Sequence, residues 1–207
     1  MYVRLVGEGI GGGYRYSIRC PNCGQIGTFE SIQNVQDLHV SGHWLSLRRC
    51  PNEPCRAGVF VVANDNQQIL RTYPPTRIDF DTTKIPARIL KTFTEAITCH
   101  AEKCYVAAAI LIRRTLEELC EDRGAQGNTL KDRINALRTK IVVPNELFQA
   151  MDELRLLGND AAHVEAKVYD AIGENEIELG IALTKEVHKA VYQLDDLVTR
   201  LRALKKP

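Results

Sequence analysis

The chain has 207 residues, 44% apolar and 26% charged, with a formal net charge of +1. This is the composition of one folded domain, or of a domain with a small added module. Charge is balanced along the chain, with 8 Lys and Arg against 7 Asp and Glu in residues 1–83 and 19 against 19 beyond. That argues against bulk electrostatic clamping of duplex nucleic acid and leaves room only for a small local site. The N-terminus has no basic region followed by an apolar core, and the longest aliphatic run, 106–112, is far shorter than a membrane span. With seven cysteines and no export signal, the expected setting is cytoplasmic, where paired cysteines more often hold metal than form disulfides.

Residues 1–75 read as β-structure and turns. The runs 14–20, 25–32, 43–49 and 58–62 are rich in Val, Ile, Tyr and Ser and are separated by Gly, Pro and Asn. Ahead of them, Gly7-Glu-Gly9-Ile-Gly-Gly12 formally satisfies the dinucleotide-binding glycine pattern. That motif needs a helix directly after it, so that amides and dipole meet the phosphate. A strand-like alternation follows here instead, so the glycines are expected to form a flexible turn and no nucleotide cofactor is expected.

Cys20-Pro-Asn-Cys23 and Cys50-Pro-Asn-Glu-Pro-Cys55 are the clearest chemical signal. Two short cysteine pairs separated by predicted strand match a structural zinc ribbon, each tight turn offering two thiolates to one tetrahedral ion. One zinc on Cys20, Cys23, Cys50 and Cys55 leaves no open position for water, so it would be structural and would help fold a module too small for a good core. The competing reading is four reduced core cysteines. His39 and His43 lie between the pairs as substitute ligands, but four cysteines already complete the set. Arg48-Arg49 beside Cys50 could touch nucleic acid, although simple solvation suits so balanced a surface better.

Tyr73-Pro-Pro-Thr begins an extended connector, and residues 76–84 are read as a linker. From about residue 85 the rhythm becomes helical: 86–99, 105–122 with Gly124 as a cap, 129–140 with Asp132 three after Thr129, 144–163, and a long helix over 174–205. In that last helix Thr184, Val187, Val191, Leu194, Val198 and Leu201 repeat at three and four, flanked by Leu183, Ala190, Leu197 and Leu204. So wide a stripe suits packing in a bundle. The expectation is an α+β chain: a small β-rich zinc-ribbon module over 1–75, then an all-α bundle of about five helices over 85–207. Cys99, Cys104 and Cys120 fall in helical segments and read as small core residues; a second metal site or redox pair involving His100 is the other reading.

Arg155-Leu-Leu-Gly-Asn-Asp-Ala-Ala-His163 is the densest polar motif. At about 100° per residue, Arg155, Asn159 and His163 share one face, turned away from the apolar stripe of Leu147, Met151, Leu154, Gly158 and Ala161. They could serve helix packing, with Arg155 paired to Asp152, or a phosphate-binding or catalytic surface. Arg113 and Arg114 end the most apolar stretch, with Glu117 and Glu118 one turn on. Either they form intrahelical ion pairs, or an arginine turns toward a phosphate near His163.

Arg113-Arg-Thr-Leu-Glu117 with Leu119-Cys120, Leu130-Lys-Asp-Arg-Ile134 and Leu154 through His163 together resemble the domain of unknown function 4145 family over about residues 84–170. The front cysteine pairs resemble the cysteine-rich segment that often precedes that domain. The family is similar to the HEPN superfamily of helical bundles, which includes metal-independent endoribonucleases of prokaryotic defence and toxin systems as well as inactive binding members. The resemblance implies a homodimer, RNA or a partner protein of such a system as ligand, and an active motif of arginine and histidine contributed across a shared cleft. His163 matches the histidine and Asn159 the polar residue after the arginine, while Arg155 stands farther ahead of His163 than that motif's usual spacing. On this basis His163 would shuttle a proton, Arg155, Arg113 or Arg114 would hold phosphate charge, and Asn159 or Asp160 would fix the histidine's tautomer, leaving a 2′,3′-cyclic phosphate and a 5′-hydroxyl. The alternative is a non-catalytic interaction module with a structural zinc.

Overall fold

The computed structural model describes residues 9–11, 13–163 and 172–205. The chain divides into two compact units, Met1–Asp79 and Phe80–Pro207, and its class is α+β, strands first and helices after. The first unit contains β1 (Gly9–Gly11), β2 (Tyr16–Arg19), β3 (Ile26–Ser31), β4 (Asp37–Val40), β5 (His43–Arg49), β6 (Gly58–Asn64) and β7 (Ile69–Tyr73). β5 organises it. Along one edge β6 pairs with all of β5, from His43↔Asn64 to Arg49↔Gly58. β4 and β3 therefore share the other edge in succession, through Leu38↔Leu45 and then Ser31↔Arg48. β6 alternates buried Val59, Val61 and Ala63 with more exposed neighbours, the period-two pattern of a half-covered strand. Those three pack with Tyr16, Ile18 and Phe29 in a small core that also takes in Cys20 and Cys50.

Three details depart from expectation. Gly9–Gly11 is not a free turn but strand β1, paired with Asp37–His39 of β4. β4 and β7 were not anticipated, because each is short and polar or flanked by exposed apolar residues. Arg48, expected at the surface, is fully buried in a two-pronged ion pair with buried Asp37. Its Nε donates to the Tyr14 carbonyl at 2.7 Å and its guanidinium lies over the Tyr16 ring. A buried charge persists only when paired and hydrogen-bonded; Asp37, eleven residues earlier, supplies that partner.

The second unit holds α1 (Ala87–Ala101), α2 (Tyr105–Asp122), α3 (Leu130–Leu137), α4 (Asn145–Ala162), α5 (Glu174–His188), a π-helical turn (Lys189–Gln193) and α6 (Leu194–Ala203). The last three run on as one rod. α2 is central: Ala108, Ala109, Ile112, Leu116 and Leu119 are buried among Phe93 and Ile97 of α1, Met151 and Leu154 of α4, and Ile177 and Ile181 of α5. Thr129 and Asp132 complete both arms of a capping box on α3, and α2 stops at the Gly124 turn, where Ala125 N–H reaches the Cys120 carbonyl. At the π turn Arg123 donates to the Val191 carbonyl at 3.0 Å, and Gln193 reaches back to the carbonyls of Asp81 and Thr83. The apolar repeat runs unbroken through this turn, but its surroundings do not. Thr184 and Val187 are buried, whereas Leu194, Leu197, Val198, Leu201 and Leu204 are exposed. No helix among the described residues is long and apolar enough to cross a membrane.

Candidate metal centre and arginine groove

Each cysteine pair occupies a hairpin turn, the first between β2 and β3 and the second between β5 and β6. The two turns are built alike despite their different lengths. Cys20 N–H bonds the Gln25 carbonyl, Cys50 N–H the Ala57 carbonyl, both at 2.8 Å. The residue after each second cysteine is left-handed: Gly24 at φ +74° and Arg56 at φ +49°. Glycine takes that conformation freely, whereas Arg56 needs the turn to hold it. Pairing of β3 with β5 brings the turns together, so that Cys20 Sγ stands 3.7 Å from Cys55 Sγ and Cys23 Sγ 3.8 Å from Cys50 Sγ. All four sulfurs lie within 4.8 Å of one another. A tetrahedron on ~2.3 Å metal–sulfur bonds has edges of about 3.8 Å, so the set fits a tetrathiolate ion.

Around the sulfurs the turns trade donors. Asn22 of the first turn donates to Cys55 Sγ at 3.4 Å, and Asn52 of the second donates to Cys23. The Gln25 amide, with that Asn52 bond, lowers the Cys23 thiol to about 6, and Asn22 with the Ala57 amide lowers Cys55. Burial instead pushes Cys50 up to about 12. Hydrogen bonds thus favour thiolate at the two less buried cysteines, the form that binds metal. The sequence contained this signal in the repeated Cys-Pro-Asn, but reading for ligands alone passed over the asparagines. His39 and His43 stand apart from the cluster, His39 Nε2 meeting Asp65 at 2.6 Å and His43 Nδ1 the Ser41 carbonyl at 2.8 Å.

In the helical unit, α4 ends one residue short of His163. The His163 amide still bonds the Asn159 carbonyl, but the residue itself is extended (φ −128°) and exposed, so it leaves the helical face. Arg155 is largely buried, its Nε on Asp152 Oδ1 at 2.7 Å. Asn159 is half-buried and Asp160 buried. Gly158 is the packing residue: a methyl there would overlap the Arg113 Cβ and stand 3.0 Å from the Ala109 carbonyl. That close approach lets Arg113 donate to the Arg155 carbonyl at 3.2 Å, tying α2 to α4.

Residues 94–205 match the family described as Domain of unknown function (DUF4145). The chain belongs to that family. No curated protein and no solved structure matches it at a significant level.

The DUF4145 region thus runs from within α1 to the end of α6, starting about ten residues later and ending about 35 residues further on than the span of the sequence resemblance, and it leaves out all four clustered cysteines. An open groove of about 470 Å³ is lined by Arg88, Arg113, Arg114, Glu117, Glu118, Glu121, Arg133 and Ala162, all but Arg88 within that region. Ala162 directly precedes His163, so the groove reaches the residue next to it. Its charges are largely matched: Arg113 with Glu117 and Arg114 with Glu118, each at 3.2 Å, and Arg88 with Glu118 and Glu121. Glu118 is buried, and among the described residues its second oxygen lacks a hydrogen-bond partner. Arg88 and Arg133 were missed because they come from the segments of α1 and α3, with no local motif to link them to α2. The remaining cysteines of the DUF4145 region divide. Cys120 is buried, its thiol pushed up to about 11, and Cys99 is half-buried. Cys104, expected in the core, is exposed at the start of α2.

Proposed function

We propose that the helical unit is a HEPN-like RNA-binding element whose groove takes the phosphate backbone, with His163 as the proton-transfer residue of a metal-independent cleavage, and that the β unit is a zinc ribbon holding one structural ion. The observation that carries the RNA reading is the convergence of Arg88, Arg113, Arg114 and Arg133 on one groove that ends beside exposed His163. Guanidinium groups bind phosphate oxygens in pairs of parallel hydrogen bonds. An incoming phosphate would exchange Glu117 and Glu121 for itself, both being surface carboxylates whose ion pairs are weak. The 2′-hydroxyl proton would pass to the imidazole as the 2′-oxygen attacks phosphorus, and the departing 5′-oxygen would gain a proton, giving a 2′,3′-cyclic phosphate and a 5′-hydroxyl. Arg113 and Arg114 replace Arg155 in the phosphate role, because Arg155 is held on Asp152. Asn159, whose carbonyl holds the His163 amide, keeps the end of α4 in place, and Asn159 or Asp160 would fix the histidine's tautomer.

The uncovered leucines of α6 support a homodimer. A defence or toxin context, with a partner protein from such a system, rests on the HEPN-like resemblance alone. The pairing of Arg88, Arg113 and Arg114 with glutamates favours a second reading, a non-catalytic interaction module.

The test is incubation of purified protein with transfer and messenger RNA in a chelator too weak to strip the cysteine site, beside His163→Ala and Arg114→Glu. Cyclic-phosphate ends that vanish with His163→Ala, and binding that falls with Arg114→Glu, are expected. RNA binding lost in Arg114→Glu without any cleavage leaves the binding module. Protein that neither binds nor cuts RNA overturns the RNA reading and leaves a module that holds a partner protein.

A further inference from the structure

The last turn of α1 and the first turns of α5 contain a second cluster that the proposed function does not use. His100 is nine-tenths buried, and among the described residues both of its ring nitrogens lack a hydrogen-bond partner. Burying an imidazole with neither nitrogen bonded carries a desolvation cost that a native fold ordinarily offsets with a partner. What the ring faces is Glu178, whose carboxylate oxygen stands 3.7 Å from Nε2, and Glu174, four residues earlier on the same face of α5. The three ligand atoms lie within 4.8 Å of one another. At 3.7 Å the His100–Glu178 pair is too long for a hydrogen bond. It is close to the ~3.4 Å edge of a tetrahedron with metal bonds of about 2.1 Å.

We propose that His100, Glu174 and Glu178 bind a divalent transition-metal ion of the zinc type, separate from the cysteine site, and that this ion ties the end of α1 to the start of α5. The donor set suits it: one neutral imidazole and two carboxylates, a borderline-to-hard combination that leaves a position for water. An outer contact is in place as well, since the Tyr105 hydroxyl bonds the Glu174 carboxylate and so orients it. Both glutamates are the mobile partners, Glu178 being 55% exposed, so closing the spread from 4.8 Å needs only rotamer adjustment around a fixed imidazole. None of these residues lines the arginine groove. The ion would clamp the bundle rather than act on RNA.

The experiment is calorimetric titration of zinc into the full chain already carrying one zinc, beside Glu178→Gln and His100→Ala, with helix content followed by circular dichroism. The wild type takes up one further ion, each variant weakens that uptake by roughly tenfold or more, and the ion raises the wild-type melting temperature but not that of Glu178→Gln. Glu178 is a surface residue, so its variant folds and keeps the result readable if His100→Ala does not. A zinc-carrying chain that binds no further ion, or one whose further uptake is unchanged in Glu178→Gln, overturns the proposal.

Discussion

The two units solve the problem of stability differently. The β unit has a core of eight buried residues, of which two are the cysteines Cys20 and Cys50. The helical unit closes its core with aliphatic side chains from five helices. A small sheet buries too little apolar surface to offset chain entropy, so the cysteine corner is part of the first core and not an ornament on it. The lesson concerns where function can sit. The β unit packs two of its clustered cysteines into its core, while the helical unit, closed by apolar side chains, leaves a charged groove and a histidine at its surface.

Metal removal is the strongest way to break that comparison. Structural zinc contributes on the order of 10 kcal/mol to folding in small domains, comparable with the whole net stability of a typical domain. A strong chelator, or Cys23→Ser, is expected to erase amide protection across residues 14–73 while α1–α5 keep theirs in hydrogen exchange. Full protection of β5 and β6 in metal-stripped protein would refute the claim that the ion belongs to that core.

Within the β unit the next largest effect comes from Asp37→Asn, which leaves the buried Arg48 charge without its counter-charge and turns one of the two accepting oxygens into an amide that cannot accept. Breaking such a pair costs about 3–5 kcal/mol, read as a loss of denaturant midpoint for the β transition alone. Replacing both residues with apolar ones of similar volume should restore most of it; no restoration would mean that the Arg48 bond to Tyr14 matters more than the pair. In the helical unit Gly158→Ala forces α4 away from Arg113 and is expected to cost about 1–3 kcal/mol. It should also weaken RNA binding by displacing Arg113, which a mere loss of stability would not do in the folded protein.

These residues show what could be read ahead of the structure. Helix positions followed from apolar spacing, the Thr129 cap from two residues, and the four cysteines from their own spacing, because each signal is local. Arg48 could not be placed, since a basic residue in a strand reads as solvated until Asp37 is brought across the sheet. The groove was half legible: Arg113 and Arg114 stood out beside an apolar run, but Arg88 and Arg133 reach it from other helices. The π turn was invisible because the three-and-four repeat continues through it.

A smaller effect separates the two units by pH. His188 is buried against Phe93 and Tyr192, and burial lowers its pKa from 6.5 to about 4. The unfolded chain therefore takes up this proton first as pH falls. The stability from neutral His188 is complete above about 6.5 and is lost progressively toward 4. Between pH 7 and pH 5 that amounts to about 2 kcal/mol, confined to the helical transition. His188→Phe should flatten this dependence, and an equal acid sensitivity in that variant would assign it to other groups.

The smallest expected change in folding comes from α6, where the comparison turns inward on one rod. α5 and α6 carry the same apolar repeat, yet Ile177, Ile181 and Val187 are buried while Leu197 and Leu201 are 57% and 68% exposed. Leu201→Glu therefore removes little buried surface among the described residues, and surface changes of this kind stay within about 0.5 kcal/mol. Ile181→Ala, one rod and a few turns earlier, should cost about 2–5 kcal/mol. If the α6 stripe is the homodimer face, Leu201→Glu also shifts sedimentation from dimer to monomer, because a buried unpaired carboxylate is intolerable there. A variant that loses folding stability as Ile181→Ala does would show instead that α6 packs on its own chain, and the stripe would then be a second core and not a surface.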